Sequence, residues 1–252
     1  IRLGFSGTVF MSNLKKDAIK NMDMRTILGD QLAYVSKKWM MDKGYSTKVT
    51  VRIVEGNTDK PKERRDSKGR KIRLSYKEIY DELITDNRNR HRKSYKRTMH
   101  NINRGRLPCL IVCHYIPHVE NLYNYFKNKL DRKKVRYTIA HCHNETKNRA
   151  KIISDFREGK IDILIASFII RRGKNFPLLR YLQNASATDS KESVSQLMGR
   201  LERTHESKNR AYMDDLYDTG DKYLLRHSNH RIKLYKQEGV RLIRRIKKKV
   251  TL

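Results

Sequence analysis

Short apolar runs of strand length alternate along this chain with stretches of helical period, and that alternation limits the fold more than any other feature. From Pro108 onward the order is CLIVC, then HVENLYNYFKNKL with helical spacing, then VRYTIA. NETKNRAKIISDFREG follows and closes at Gly159; after it come IDILIAS, RYLQNAS, a helical pattern over 191–203 and a last short strand, AYMDDLY. Strands separated by helices of about 10–15 residues cannot be joined as hairpins. They need crossovers, which are right-handed, and the outcome is an α/β fold with a mostly parallel sheet and helices on both faces. Upstream, residues 1–10 read as a buried strand entering a turn at SGT, Ser36 to Asp42 as a short helix, and GYSTKVTVRIVEG as a strand in which Val49, Val51 and Ile53 alternate with polar neighbours. The stretch 57–71, with Pro61 and Gly69, reads as an exposed, mobile loop, and helices are expected over 75–85 and 87–103. The second contains NRNRHRKSYKR and reads as too polar to be buried on any face. From Asp221 onward one or two helices are expected, ending in RLIRRIKKKV, where Leu242, Ile243 and Ile246 form an apolar stripe.

Charge narrows the partner. With 58 Lys and Arg against 27 Asp and Glu, the formal net charge is +31, which favours a polyanion. No stretch approaches the ~20 consecutive apolar residues that span a bilayer, so nucleic acid is favoured over a membrane. Three basic stretches (57–73, 88–97 and 241–249), with Tyr76, Tyr80 and Tyr95 interleaved, point to contacts with a nucleic-acid backbone. The three cysteines, Cys109, Cys113 and Cys142, lack regular spacing and suit a reducing, cytoplasmic setting. No metal site is expected: Cys109 and Cys113 fall on or beside a buried strand although His114 and His118 are near, and Asp214 and Asp215 read as polar residues at a strand end.

One helix has a more specific pattern. In SVSQLMGRLERTHESK, at about 100° per residue, Gln196, Arg200 and Arg203 share a narrow stripe opposite Val194, Leu197, Met198 and Leu201. Gly199 sits among the polar residues, although a mid-helix glycine costs roughly 1 kcal/mol relative to alanine. The segment ASFIIRRGKNFP directly follows the strand IDILI, at the carboxyl edge where parallel sheets bind ligands. The helix comes one unit later, so both are expected to face the same crevice.

These segments, in this order, resemble the second RecA-like domain of superfamily-two helicases. LPCLIVCH resembles motif IV, ILIASFIIRRGKNFP motif V, and QLMGRLER matches Gln-x-x-Gly-Arg-x-x-Arg of motif VI; GFSGT near the start resembles motif III. Within the superfamily, the tail DDLYDTGDKYLLRHSNHRIKLYKQEGV is most similar to phage branch-migration helicases of the UvsW type. The resemblance implies an ATP-dependent DNA helicase of recombination or repair that remodels branched or forked DNA as a monomer in the host cytoplasm. It implies Arg203 as arginine finger, Arg200 as a second γ-phosphate contact and Gln196 as a nucleotide sensor, with Gly173 and Asn175 near ribose and catalytic water. It also implies DNA contacts from Ser167, His114, Asn144, Ser6 and Thr8. The implied cofactors are ATP and Mg2+, the metal held mainly by an N-terminal RecA-like domain. Asn175 stands where the family has aspartate, and Gly7 where it has alanine. No G-x-x-x-x-G-K-[ST] occurs, and the chain starts at Ile1; both imply that the N-terminal domain was removed or is a separate piece and that this chain alone does not hydrolyse ATP. The implied division is the end of the first RecA-like domain at 1–27, the second RecA-like domain at 28–220 with a basic insertion at about 57–104, and a basic helical extension at 221–252. The alternative is a non-catalytic nucleic-acid-binding module on a degenerate RecA-like fold.

Overall fold

Every β-ladder of named strands in the computed structural model is parallel, as the alternation requires. The structure describes residues 18–28, 35–168 and 175–245; the strand expected over 1–10 lies outside them. In chain order the elements are α1 (Ala18–Leu28), α2 (Lys37–Asp42), β1 (Lys48–Glu55), α3 (Tyr76–Tyr80) running into a π-helical turn (Asp81–Thr85), α4 (Arg88–Ile102), β2 (Cys109–Val112) and α5 (Ile116–Arg132). Then come β3 (Ile139–Cys142), α6 (Arg149–Arg157), β4 (Ile163–Ala166), β5 (Tyr181–Asn184), α7 (Lys191–Leu201), β6 (Arg210–Tyr217), α8 (Lys222–Gln237) and β7 (Arg241–Arg245). The strands form one sheet in the order β3-β4-β2-β5-β6-β1-β7.

Handedness decides which face each helix covers. The connections through α4 (β1 to β2) and α5 (β2 to β3) run toward the β3 edge, whereas those through α6, α7 and α8 run toward the β7 edge. Right-handed crossovers in opposite directions must lie on opposite faces. Accordingly, Tyr95, Ile102, Leu122 and Phe126 pack with Cys109, Ile111 and Ile165 on one side. Phe156, Leu197, Met198 and Tyr235 pack with Leu110, Leu164 and Met213 on the other. Short polar residues start the helices: the side chains of Ser36, Asn87, Ser190 and Asp221 each accept a first-turn N–H, and Ser75 and Glu78 form a reciprocal capping box.

Two sequence expectations fail here for physical reasons. Helix α4 is not a solvated helix: Arg90, His91, Ser94, Thr98 and Asn101 are buried. Two carboxylates, Asp214 of β6 and Asp218 just after it, make this possible. Arg90 Nε donates to Asp218 at 2.9 Å with Nη2 on the Ala185 carbonyl, and Arg97 pairs with Asp214 at 2.8 Å, where Arg52 also bonds at 2.6 Å. A buried charge is tolerated when it is paired and hydrogen-bonded. Burial opposes the charge of Arg90, but the Asp218 carboxylate more than offsets that and holds the guanidinium above its ordinary pKa. The second departure is at the C-terminus, where the expected terminal helix is instead β7, pairing parallel with Thr50–Val54 of β1. Leu242 packs against the core there, and Ile246 lies outside the described residues. Thus AYMDDLY is not the last strand. The 57–71 loop is exposed as expected and is crossed by ion pairs: Lys71 with Glu63 at 2.7 Å, Arg70 with Asp66 at 2.9 Å and Arg64 with Glu78 at 3.0 Å.

The buried histidines give this core a pH dependence. Burial, and then the neighbouring charge of Arg90, push His91 down to about 4, and the same causes push His118 well below the usual histidine range. Both are therefore neutral when folded, while the unfolded chain takes up protons below about pH 6.5. Stability should fall as pH drops from 6.5 toward 4, with His91 alone contributing about 2 kcal/mol of loss by pH 5. Urea unfolding at pH 7 and pH 5 checks this, and His91→Phe should shrink the difference by that amount.

Candidate functional site

The carboxyl ends of β2, β3 and β4, which are neighbours in the sheet, carry three of the expected nucleic-acid residues. His114 follows β2, Asn144 follows β3 and Ser167 follows β4. The edge is cross-braced: Ser167 N–H donates to the Cys142 carbonyl at 3.0 Å, and the His114 ring meets Phe168 with centroids 5.4 Å apart. Asn144 is exposed, His114 partly exposed, and Ser167 recessed at 8 % exposure. Ser6, Thr8 and Gly173 lie outside the described residues.

The crevice between β2 and β5, where the connections diverge to opposite faces, is the usual ligand position in such a sheet. Here it is filled by the chain itself. Tyr80 of α3 is fully buried, donates to the Ser186 carbonyl at 2.7 Å and bonds His118 Nδ1 at 3.2 Å.

The stripe on α7 takes a different position from the one expected. The helix starts at the carboxyl edge and, running antiparallel to the strands, brings Arg200 and Arg203 to the amino edge. There Thr47, just before β1, donates its N–H to the Glu202 carbonyl at 2.8 Å and its hydroxyl to the Arg203 carbonyl at 2.8 Å. Lys208 Nζ bridges the Leu179 and Leu201 carbonyls at 3.3 and 3.2 Å. Burial, and then Arg180, push this ammonium down to about 8. The arginines and the strand end at Ser167 therefore do not share one carboxyl-edge crevice. The arginines meet the far end of the motif V segment, where the Arg200 guanidinium lies 5.6 Å from the Phe176 ring centroid and Asn175 is exposed.

The apolar face of α7 is buried as its period requires: Val194, Leu197, Met198 and Leu201 are each at most 1 % exposed. On the other face Gln196 is exposed and Arg200 is buried at 6 % exposure, while Arg203, expected within a helix over 191–203, lies just past the Glu202 C-cap and is exposed. Burial, and then the charge of Arg203, push Arg200 down to about 10, so it stays cationic near neutrality. A Cβ added at Gly199 would meet nothing within 4 Å; nothing packed nearby explains the glycine. An exposed amide and an open glycine on the helix, with the exposed Arg203 just past its end, suit an oxyanion brought from outside the chain. Among the described residues no group of three or more His, Cys, Asp or Glu could hold a metal ion. Asp214 and Asp215 point to opposite faces of β6, each engaged by arginines, and Cys109 and Cys113 are buried, their thiols pushed up by burial.

Residues 93–205, which span β2 to α7 and both edges just described, match the family described as helicase conserved C-terminal domain. That segment is similar to helicase C-terminal domains. UvrABC system protein B of Clostridium perfringens is 30% identical over 118 residues, 45% of this chain and 17% of that protein. RNA helicases match over shorter stretches. Among solved structures, a fragment of an HsdR subunit of a type I restriction enzyme from Vibrio vulnificus superposes with a TM-score of 0.61 at 19% identity, covering 84% of this chain and 39% of that one. UvsW of T4 superposes at 0.56 with 18% identity, covering 79% and 41%. These structural likenesses show the RecA-like fold. The chain spans less than a fifth of the length of the curated relatives that it matches. Among the described residues, no helix of this domain is long and apolar enough to cross a membrane.

Sequence reasoning missed Phe176 beside Arg200, and it missed the outer face of α8, where Lys222, Arg226, His230 and Lys233 recur at helical spacing. That spacing is the signal that finds them.

Proposed function

We propose that this chain is the C-terminal motor half of an ATP-dependent DNA helicase that remodels branched or forked DNA. An N-terminal RecA-like domain with a phosphate loop completes it. In this reading Arg203 is the arginine finger, Arg200 the second phosphate contact and Gln196 the nucleotide sensor, with Gly173 and Asn175 assigned to ribose and catalytic water. Bound MgATP supplies the phosphoryl group, and its metal belongs to the partner domain. His114, Asn144 and Ser167 form the DNA-backbone edge, with Ser6 and Thr8 at the junction of the domains, in a cytoplasmic, monomeric enzyme. The observation that carries the reading is the end of α7, where an exposed Arg203 just past the helix stands with Gln196 exposed on it and a glycine that no packing explains. Nucleic acid and nucleotide are then read at opposite edges of one sheet, joined by the segment from Ser167 to Phe176.

The glycine supplies the test. Gly199→Ala should stabilise this chain toward urea by roughly 1 kcal/mol, since alanine is the better helix former and finds open space. In the longer protein the same change should slow DNA-stimulated ATP hydrolysis, because the added methyl meets the approaching nucleotide. Forked DNA should stimulate that hydrolysis more than RNA of the same sequence. Unchanged hydrolysis in the variant would remove α7 from the cleft. No hydrolysis by the parent enzyme would leave the non-catalytic module.

A further inference from the structure

Folding uses up much of the basic charge that the sequence displays. In the 57–73 loop Arg64, Arg70 and Lys71 pair with carboxylates of the loop and of α3, and on α4 Arg90 and Arg97 are held by Asp218 and Asp214. The outer face of α8 is different. Lys222, Arg226, His230 and Lys233 are exposed along one helical stripe, at offsets of 0, 4, 8 and 11. Among the described residues no carboxylate pairs with Lys222, Arg226 or Lys233. Together with Leu225 and Asp189 these four line a cavity of about 510 Å³. Asp189 is engaged by histidines, lying 3.1 Å from His230 Nδ1 and 3.7 Å from His227 Nε2. The Tyr223 ring holds the first two cations near it, with Lys222 Nζ 5.2 Å and the Arg226 guanidinium 5.7 Å from its centroid.

We propose that this face of α8 is a track for the phosphate backbone of a nucleic-acid strand, an inference that rests on the nucleic-acid half of the reading above. Geometry and charge both favour it. At 1.5 Å per residue, Lys222 and Lys233 are about 16 Å apart along the helix, so the stripe presents its cations to several successive phosphates. The groove also opens on the right edge. Helix α8 begins just past the carboxyl end of β6, and Asp189 follows the carboxyl end of β5. A strand crossing the sheet edge from Asn144 and His114 continues onto α8. All of α8 lies outside the matched segment 93–205, so the track extends the footprint of the helicase domain. Its contacts are to phosphate and carry no base sequence.

The experiment is nucleotide-free binding of short labelled single-stranded oligonucleotides, one with deoxyribose and one with ribose, followed by anisotropy across a salt titration. Replacing Lys222, Arg226 and Lys233 together by alanine should weaken binding about tenfold to a hundredfold at 0.1 M salt. It should also reduce the log–log salt slope by about 2, at ~0.7 for each lost phosphate contact. Both sugars should respond alike. A control with Arg64, Arg70 and Lys71 replaced by alanine removes the same charge and should change the slope by less than half as much. The three α8 positions are exposed, so thermal unfolding should be unchanged, and Arg203→Ala should leave this binding intact. An α8 effect no larger than the control's overturns the proposal, as does a loss confined to one sugar. So does a variant that keeps the oligonucleotides but releases phosphatidylserine vesicles. Because no ATP is present, a failed arginine finger and a failed track give separate results.

Discussion

In the motor reading proposed above, Arg203→Ala should lower the rate of ATP hydrolysis by the longer protein about 10³- to 10⁵-fold, the effect found when an arginine finger is removed from a phosphoryl-transfer site. The size follows from what the group does. Charge develops on the transferring phosphoryl oxygens, and a planar, permanently cationic fork already in place stabilises it without reorganisation. The α7 terminus is built to be in place. Its last carbonyls accept bonds from Thr47 and Lys208, and its buried side packs into the core, so the exposed guanidinium projects from a rigid base. DNA binding should survive, because His114 and Asn144 stand at the opposite edge of the sheet. Steady-state hydrolysis with saturating DNA, alongside a binding titration, separates the two. A turnover number within tenfold of the parent would remove Arg203 from the chemistry.

Asp215→Ala should cost the fold about 3–5 kcal/mol, the range for breaking one side of a buried ion pair. Arg231 and Asp215 are at most 1 % exposed and joined by three hydrogen bonds of 2.9 to 3.1 Å. Tyr235 donates to the same carboxylate at 2.6 Å and Asn184 at 3.0 Å. Truncation strands a buried guanidinium and two further donors in one step. Domains of this kind are stable by only about 5–15 kcal/mol, so the variant should be largely unfolded at modest urea or on mild heating. Joint replacement, Asp215→Leu with Arg231→Met, should recover much of the loss, since an apolar pair of similar volume carries no desolvation penalty. A single variant that loses less than 1 kcal/mol would show that the pair is solvated in solution. Arg90 with Asp218 and Arg97 with Asp214 extend the pattern, so one strand and its end anchor both helical layers through carboxylates.

Between Pro108 and Leu201 the reading from sequence and the structure agree in the order and type of the named elements, because each declares itself by local period, although the strand expected in VRYTIA is shifted toward the C-terminus, to Ile139–Cys142. ILIA is buried throughout as β4, and the α7 pattern puts its apolar residues on the side expected. Legibility ends where distant residues meet. Arg90 and Asp218 are 128 positions apart, and Arg97 and Asp214 are 117 apart. Nothing near NRNRHRKSYKR shows that its charges will be neutralised, so a buried helix reads as a solvated one. RLIRRIKKKV fails similarly: a stripe of three apolar residues suits a helix until a free edge of β1 offers backbone partners.

The sequence alone thus determined the parallel α/β class, the order of the elements, the apolar side of α7 and the strongly basic net charge, since periodicity and net charge are properties of neighbours and of totals. Tertiary structure decided which cations stay exposed, and at which edge of the sheet Arg203 stands. Both depend on where the crossovers carry each helix and on which carboxylates it meets there, and such distances arise only once the chain has closed on itself.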